Sequence, residues 1–401
     1  MNKIIVRIFA AGILCGGLMA GAACWQKTYD PGASDTEIKI GNVSPYSGPF
    51  LEYGAVARAE AAYFQMINDR GGVNGRKIVF LSEDGGARKS EELTRKLVEA
   101  DGVLLMFSSF GTEPNLAVRG YLNEKKIPQL FVQSSSAVFD DPAHFPWTMG
   151  FFATYRVEGM VYAKWILQNK PTGKIALLHG DDDAGREYAA GVREGLADKA
   201  GEMIVKELSY RDSDADVEAQ IAEFKKSGAD VLMNMSVGKF ATLAIRSAFI
   251  SEWHPAVQFI PNASLSVAAF IEPAGLPAAA GIISNARSKN WWRLEALRDP
   301  GVREFVEWMN KYNSKASQKD QNYASGYERA QVLVEVLRMC GDDLSRANVM
   351  KQAANLDMEL GLLRSGIRVK TSPTEYQPIH DLFLIRFSGK EWTAFGPLGT
   401  H

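Results

Sequence analysis

Between Gly102 and Ala137 the chain alternates apolar runs with hydroxyl-rich breaks. Val103-Leu104-Leu105-Met106-Phe107 is continuously apolar, the pattern of a strand buried on both faces. Ser108-Ser109-Phe110-Gly111-Thr112 follows, and Thr112 is placed to cap a helix with Glu113 and Pro114 in its first turn. That helix is predicted to run to about Asn123. Ile127 to Phe131 reads as the next strand, ending at Gln133-Ser134-Ser135-Ser136. Two neighbouring parallel strands thus end in hydroxyl-rich loops, one feeding a helix N-terminus. Open α/β sheets bind ligands beyond the carboxyl ends of their strands. Free N–H groups and the helix dipole favour an anion there. The stretch offers no nucleophile with a base, so it reads as half of a carboxylate-binding cleft.

The same alternation runs through most of the chain. Ile38 to Val43 reads as a strand that turns at Ser44-Pro45-Tyr46-Ser47-Gly48-Pro49. A helix follows from about Gly54 to Asn68, with Val56, Ala59, Tyr63, Met66 and Ile67 on one face. Lys77 to Ser82 is the second strand, and Ser90 starts a helix. Past Phe151 a second α/β series begins with a helix from Tyr155 to Gln168. It continues with strands at Lys174–Leu178, Ile204–Leu208, Asp230–Asn234, Val257–Ile260 and Gly281–Ser284. Three helical segments then fall near Val302–Tyr312, Tyr323–Cys340 and Arg346–Asn355. His380–Phe387 and Glu391–Phe395 alternate around Ser388-Gly389-Lys390, which reads as an antiparallel hairpin. Strand–helix alternation predicts parallel sheets with helices on both faces.

At 401 residues two lobes are expected rather than one core. A hydrophobic share of 46% and a charged share of 23% exclude a disordered chain and a polytopic membrane protein. The net charge of −2 argues against a nucleic-acid partner. Lys3 and Arg7 precede an apolar run from Ile8 to Ala22, and Ala20-Gly21-Ala22 fits a small-residue cleavage site. Residues 1–23 therefore read as a secretory signal, too short to span a membrane. Cys24 just beyond it raises a lipid anchor, but Gly21-Ala22-Ala23 lacks the usual leucine three positions upstream. Cys340 could pair with Cys24 in an oxidising compartment; a buried thiol is the blander expectation.

Ser47-Gly48-Pro49, Tyr53-Gly54 and the run Ile67-Asn68-Asp69-Arg70-Gly71-Gly72-Val73-Asn74-Gly75 together carry a pattern. It resembles the leucine/isoleucine/valine-binding proteins, the extracytoplasmic solute-binding proteins of branched-chain amino-acid type ABC importers. The likeness extends from about Asp35 to Phe395. It implies a type I periplasmic binding protein: two Rossmann-like lobes with parallel sheets, joined by a three-strand hinge and closing on a ligand. Lobe 1 is expected at 35–153 and 286–360, and lobe 2 at 154–285 and 361–401, with crossovers near Ala153, Ser284 and Gly361. The resemblance also implies that Tyr53, Ser109 and the loop Ser134-Ser135-Ser136 face the cleft and hold a ligand carboxylate. The family usually pairs the ligand's ammonium with an acid on the loop after the second lobe's fourth strand. Here that loop reads Ile260-Pro261-Asn262-Ala263-Ser264, with no acid. The first-crossover position that is often Asp looks like Tyr155. Tyr155 and Asn262 are therefore expected to meet the rest of the ligand, with Phe110 and Phe152 adding aromatic surface. An aromatic or aliphatic carboxylic acid competes with an amino acid, because an unpaired buried ammonium is costly.

The other readings are plainer. No G-x-S-x-G elbow surrounds any serine, which argues against a hydrolase or amidase on the same topology. Asp181-Asp182-Asp183 lacks the spacing of a calcium loop and reads as a solvated loop. His144, His179, His254, His380 and His401 show no metal-ligand spacing. Trp291-Trp292 reads as packing or an irregular loop. No metal or cofactor is expected. The expected partners are a small carboxylate and the membrane permease of an importer, with a monomer in the periplasm. A ligand-sensing role is a minor alternative that the sequence does not separate from transport.

Overall fold

The structure, a computed structural model, describes residues 27–86 and 89–399. The expected signal segment and Cys24 lie outside the described residues. The first run of alternation gives β1 (Glu37–Ser44), α1 (Gly54–Asp69), β2 (Lys77–Asp84), α2 (Ser90–Arg95), β3 (Leu105–Phe107), α3 (Thr112–Glu124) and β4 (Gln129–Leu130). Its four strands are all parallel, in the order β2-β1-β3-β4. The Asn68 side chain explains part of the motif that follows α1. It donates to the Ile78 carbonyl and accepts from the Ile78 amide, both at 2.8 Å, and so fixes the end of α1 on β2.

The second series gives α4 (Tyr155–Asn169), β5 (Ile175–Gly180), α5 (Asp183–Leu196), β6 (Ile204–Tyr210), α6 (Glu218–Lys226), β7 (Val231–Met235), α7 (Lys239–Ile250), β8 (Val257–Phe259) and β9 (Ile283–Ala286). The chain then returns to the first lobe with α8 (Pro300–Tyr312), α9 (Gln321–Cys340) and α10 (Arg346–Ala353). A two-strand pair, β10 (Asp357–Met358) with β11 (Val369–Lys370), follows. The expected hairpin forms as β12 (Leu382–Phe387) and β13 (Trp392–Gly399), antiparallel to each other. Through β12 it adds antiparallel to β9, completing a seven-stranded sheet in the order β13-β12-β9-β8-β7-β5-β6.

The first two crossovers fall between Phe151 and Tyr155 and between Ala286 and Trp291. The third does not fall near Gly361. Leu360, Leu362, Leu363, Ile367, Val369, Tyr376 and Ile379 are buried in the first core, so the chain crosses only between Ile379 and Leu382. The loss of helical periodicity after Asn355 marks a change to irregular chain, not a change of lobe. The buried Trp291 packs against Phe305, and its indole N–H donates to the Gln318 carbonyl at 2.7 Å. Cys340 is a buried thiol.

One close approach positions much of the second lobe's contribution to the cleft. Helices α4 and α5 pack so tightly that a Cβ on Gly191 would lie 2.0 Å from the Arg156 carbonyl oxygen, and one on Gly195 would lie 2.6 Å from that of Met160. Only a residue without a side chain fits there. The seam presents Tyr155 and Glu158 of α4 beside Glu187 and Tyr188 of α5. Among the described residues no helix is long and apolar enough to cross a membrane.

Candidate functional site

A cavity of about 950 Å³ lies between the lobes, beyond the carboxyl ends of β1, β3 and β4 on one side and of β5 to β8 on the other. Its first-lobe wall begins where β3 stops. Ser108 takes a left-handed φ of 53°, and Gly111, at φ 93°, precedes α3. Gly111 rather than Thr112 occupies the cap position, and Thr112 is the first residue of the helix with no capping bond. Its hydroxyl is turned instead to Ser134, at 2.8 Å. Ser134 Oγ also accepts from the Ser136 amide at 3.1 Å. The Tyr155 amide donates to the Ser135 carbonyl at 2.8 Å, tying α4 to this loop. The Tyr155 hydroxyl faces the same group. Burial raises its pKa, while the Ser135 amide and the Ser134 and Thr112 hydroxyls, as donors, pull it back. Two hydroxyls, one amide and one phenol thus converge at the start of α3.

The second-lobe wall carries a buried carboxylate that the sequence reading placed nowhere. Glu158 lies one turn past Tyr155 and is 5% exposed. It accepts from the Asn262 amide at 2.6 Å, the Asn285 side chain at 2.5 Å, the Tyr162 hydroxyl at 2.6 Å and the Tyr188 hydroxyl at 3.2 Å. Burial pushes its pKa up against these four donors. The acid missing from the 260–264 loop is therefore supplied to that loop by α4. Its signal was Glu158 on the same face as Tyr162 and Ile166, a charged residue on an otherwise buried stripe. Asn262 itself is fully engaged: its side chain donates to the Asn285 carbonyl at 2.8 Å and accepts from Arg287 at 2.9 Å. Arg287 is paired with Glu328 at 3.0 Å.

Of the expected site residues, Tyr53, Phe110, Ser134, Ser135, Tyr155 and Asn262 line the cavity. Ser109 and Ser136 do not. Ser109 Oγ accepts from the Val43 amide at 3.2 Å, and its carbonyl accepts from Gln133 N at 2.9 Å and Asn115 Nδ2 at 2.8 Å, so it splices β1 to both strand-end loops. Ser136 donates to the Glu187 carboxylate of the facing lobe, and the Ala137 amide reaches the same carboxylate at 3.1 Å. Tyr53 contributes its ring, stacked on Phe110 with centroids 5.2 Å apart, while its hydroxyl accepts from the Gly238 amide at 2.9 Å. Phe152 lines the cavity beneath two guanidinium groups, those of Arg287 and Arg329, which the sequence reading did not single out. The Asp181–Asp183 loop is occupied locally. Asp182 caps α5 by accepting from the Gly185 amide at 2.6 Å, and Asp181 and Asp183 meet Arg186 at 3.5 and 2.6 Å.

Comparison with known proteins adds the family. The periplasmic binding protein family model matches residues 37–391. Leu/Ile/Val-binding protein homolog 7 of Brucella suis is 24% identical over 391 residues, covering 92% of this chain and 90% of that one. A branched-chain amino acid ABC transporter structure from Thermus thermophilus with bound valine superposes with a TM-score of 0.80 at 17% identity, over 92% of this chain and 98% of that one. A solute binding protein of an ABC transporter from R. palustris, in complex with benzoate, gives 0.76 at 20% identity, over 91% and 96%. The fold is that of the type I periplasmic binding proteins, and the chain belongs to the periplasmic binding protein family.

Proposed function

We propose that this protein captures a small carboxylic acid between its lobes and hands it to the membrane permease of an ABC importer. The observation that carries the reading is the convergence of Thr112, Ser134, the Ser135 amide and Tyr155 at the start of α3. Thr112 and Ser134 share one hydrogen bond and turn to the Tyr155 oxygen, which leaves the phenol O–H to give, and the helix N-terminus adds its partial positive charge. A carboxylate oxygen is the ligand group that uses all of these at once. The structural neighbours that carry valine and benzoate are both carboxylates, which supports the same class here.

The acid need not be an amino acid. Glu158 already accepts four hydrogen bonds, about the capacity of one carboxylate. Arg287 lies close enough to interact with it. An ammonium would find that charge already answered, so a des-amino acid suits the site at least as well. The protein is read as a binder rather than an enzyme, because the family it belongs to and the relatives it matches are binding proteins. It is read as a periplasmic monomer. Delivery to a permease and presentation to a receptor would use the same site.

Native mass spectrometry of protein purified without denaturation should find a carboxylic acid bound. A thermal-shift screen of organic acids and amino acids should then raise the melting temperature by mass action. A screen in which only neutral or cationic solutes stabilise the protein would overturn the reading.

A further inference from the structure

The cavity holds a second group of donors, separate from the one at α3. The guanidinium carbons of Arg287 and Arg329 lie 3.3 and 4.1 Å from the centroid of the Phe152 ring. Arg287 is answered by Glu328, Asn262 and Ser325. Arg329 is not. It is 2% exposed, its one hydrogen bond goes to Ser325 Oγ at 2.6 Å, and its Nε is buried without a partner. Among the described residues no carboxylate lies within 4.0 Å of its guanidinium. The acid whose charge acts on it most, Glu60, is 0% exposed and has Ser108 as its hydrogen-bonding neighbour. Burial raises the Glu60 pKa against the pull of Ser108 and Arg329, which weakens it as a counter-charge, and Glu328 is already paired with Arg287. A buried cation is ordinarily paired. Arg329 lines the ligand cavity and lacks that pair.

We infer that the ligand carries a second carboxylate, received by Arg329 with Arg287 beside it on Phe152, so that the solute is a dicarboxylic acid. This rests on the reading of the cavity as a carboxylate site. The α3 donors take one carboxylate, and the arginine pair takes the other. The two groups of donors share no hydrogen bond, and both line one cavity of about 950 Å³, ample for a diacid of several carbons. A planar guanidinium matches a carboxylate in geometry as well as in charge. The Phe152 ring holds both guanidinium planes without consuming their donors.

The test is calorimetric titration of the full protein with matched pairs: succinate against butyrate, adipate against hexanoate, terephthalate against benzoate. In wild type at least one diacid should bind roughly tenfold or more tightly than its monoacid partner, the effect of a charged hydrogen-bonded contact. Arg329→Met should lower diacid affinity to about that of the matched monoacid, removing the preference, while Arg329→Lys should keep part of it. Monoacids binding as tightly as diacids in wild type would overturn the inference without any variant and would leave the monocarboxylate reading standing. So would an equal loss of both classes in Arg329→Met protein whose melting curve is intact, since Arg329 would then hold the only carboxylate or support the wall. If no acid of either class binds, the carboxylate reading falls, and the second carboxylate with it.

Discussion

Tyr53 accepts a hydrogen bond from the Gly238 amide at 2.9 Å, and through it the start of α1 in one lobe grips the start of α7 in the other. Ser136 and Glu187 make a second bond across the same cleft. Both bonds exist only while the lobes are together, so they belong to closure rather than to ligand contact. Tyr53→Phe keeps the ring on Phe110 and removes the acceptor. A net hydrogen bond of about 1 kcal/mol corresponds to roughly fivefold weaker ligand binding. Small-angle scattering should show a larger radius of gyration for the ligand-free variant. Ser136→Ala should act in the same direction. An unchanged radius and unchanged affinity in both variants would show that these contacts do not hold the lobes together.

The α4–α5 seam supports the site from behind. Gly191→Val places side-chain atoms against the Arg156 carbonyl, where even a Cβ would sit at 2.0 Å. Overpacking of this kind costs about 1–3 kcal/mol. The denaturation midpoint should fall, and ligand affinity should fall with it because Tyr155 and Glu158 ride on α4. A variant that melts lower but binds normally would mean that the seam stabilises the lobe without setting the site.

Glu60 makes stability depend on pH. Burial raises its pKa to about 8 in the folded protein, whereas in the unfolded chain it is an ordinary carboxyl near 4.3. Between those values the folded state keeps a proton that the unfolded state has released. Stability contributed by this group is therefore full below the unfolded pKa and falls as pH rises toward the folded one. Urea denaturation from about pH 5 to about pH 8 should show that decline, and Glu60→Gln should flatten it. A steeper decline in the variant would contradict the assignment.

Much of this architecture was legible in the chain. Continuous apolar runs such as Val103–Phe107 marked buried strands, and helical spacing placed α1, α4 and α9 within a few residues of their observed ends. The alternation in the terminal segment was plain enough to read it as an antiparallel hairpin. The stretch 360–379 was misjudged because it has no period: irregular chain can bury as many apolar residues as a helix, but nothing in the sequence says against which core. The expected site residues divide for a related reason. Ser134 and Ser135 line the cavity because strand-end loops point their residues into the cleft, yet Ser109 and Ser136, each one position from a cavity-lining residue, turn to backbone and to the other lobe. Arg287, Arg329 and Glu158 were missed because they reach the cavity from helices and a crossover far apart in sequence. Only Glu158 had a local signal, its place on an apolar helix face.

The carboxylate itself is the claim on which the rest depends, and one titration meets it directly. Wild-type protein stripped of any bound solute should be titrated calorimetrically with the acid that native mass spectrometry identifies, and then with that acid's primary amide. The acid should bind, and the amide should bind roughly tenfold or more weakly. An amide that binds as tightly as the acid would contradict an anion-holding site at the start of α3.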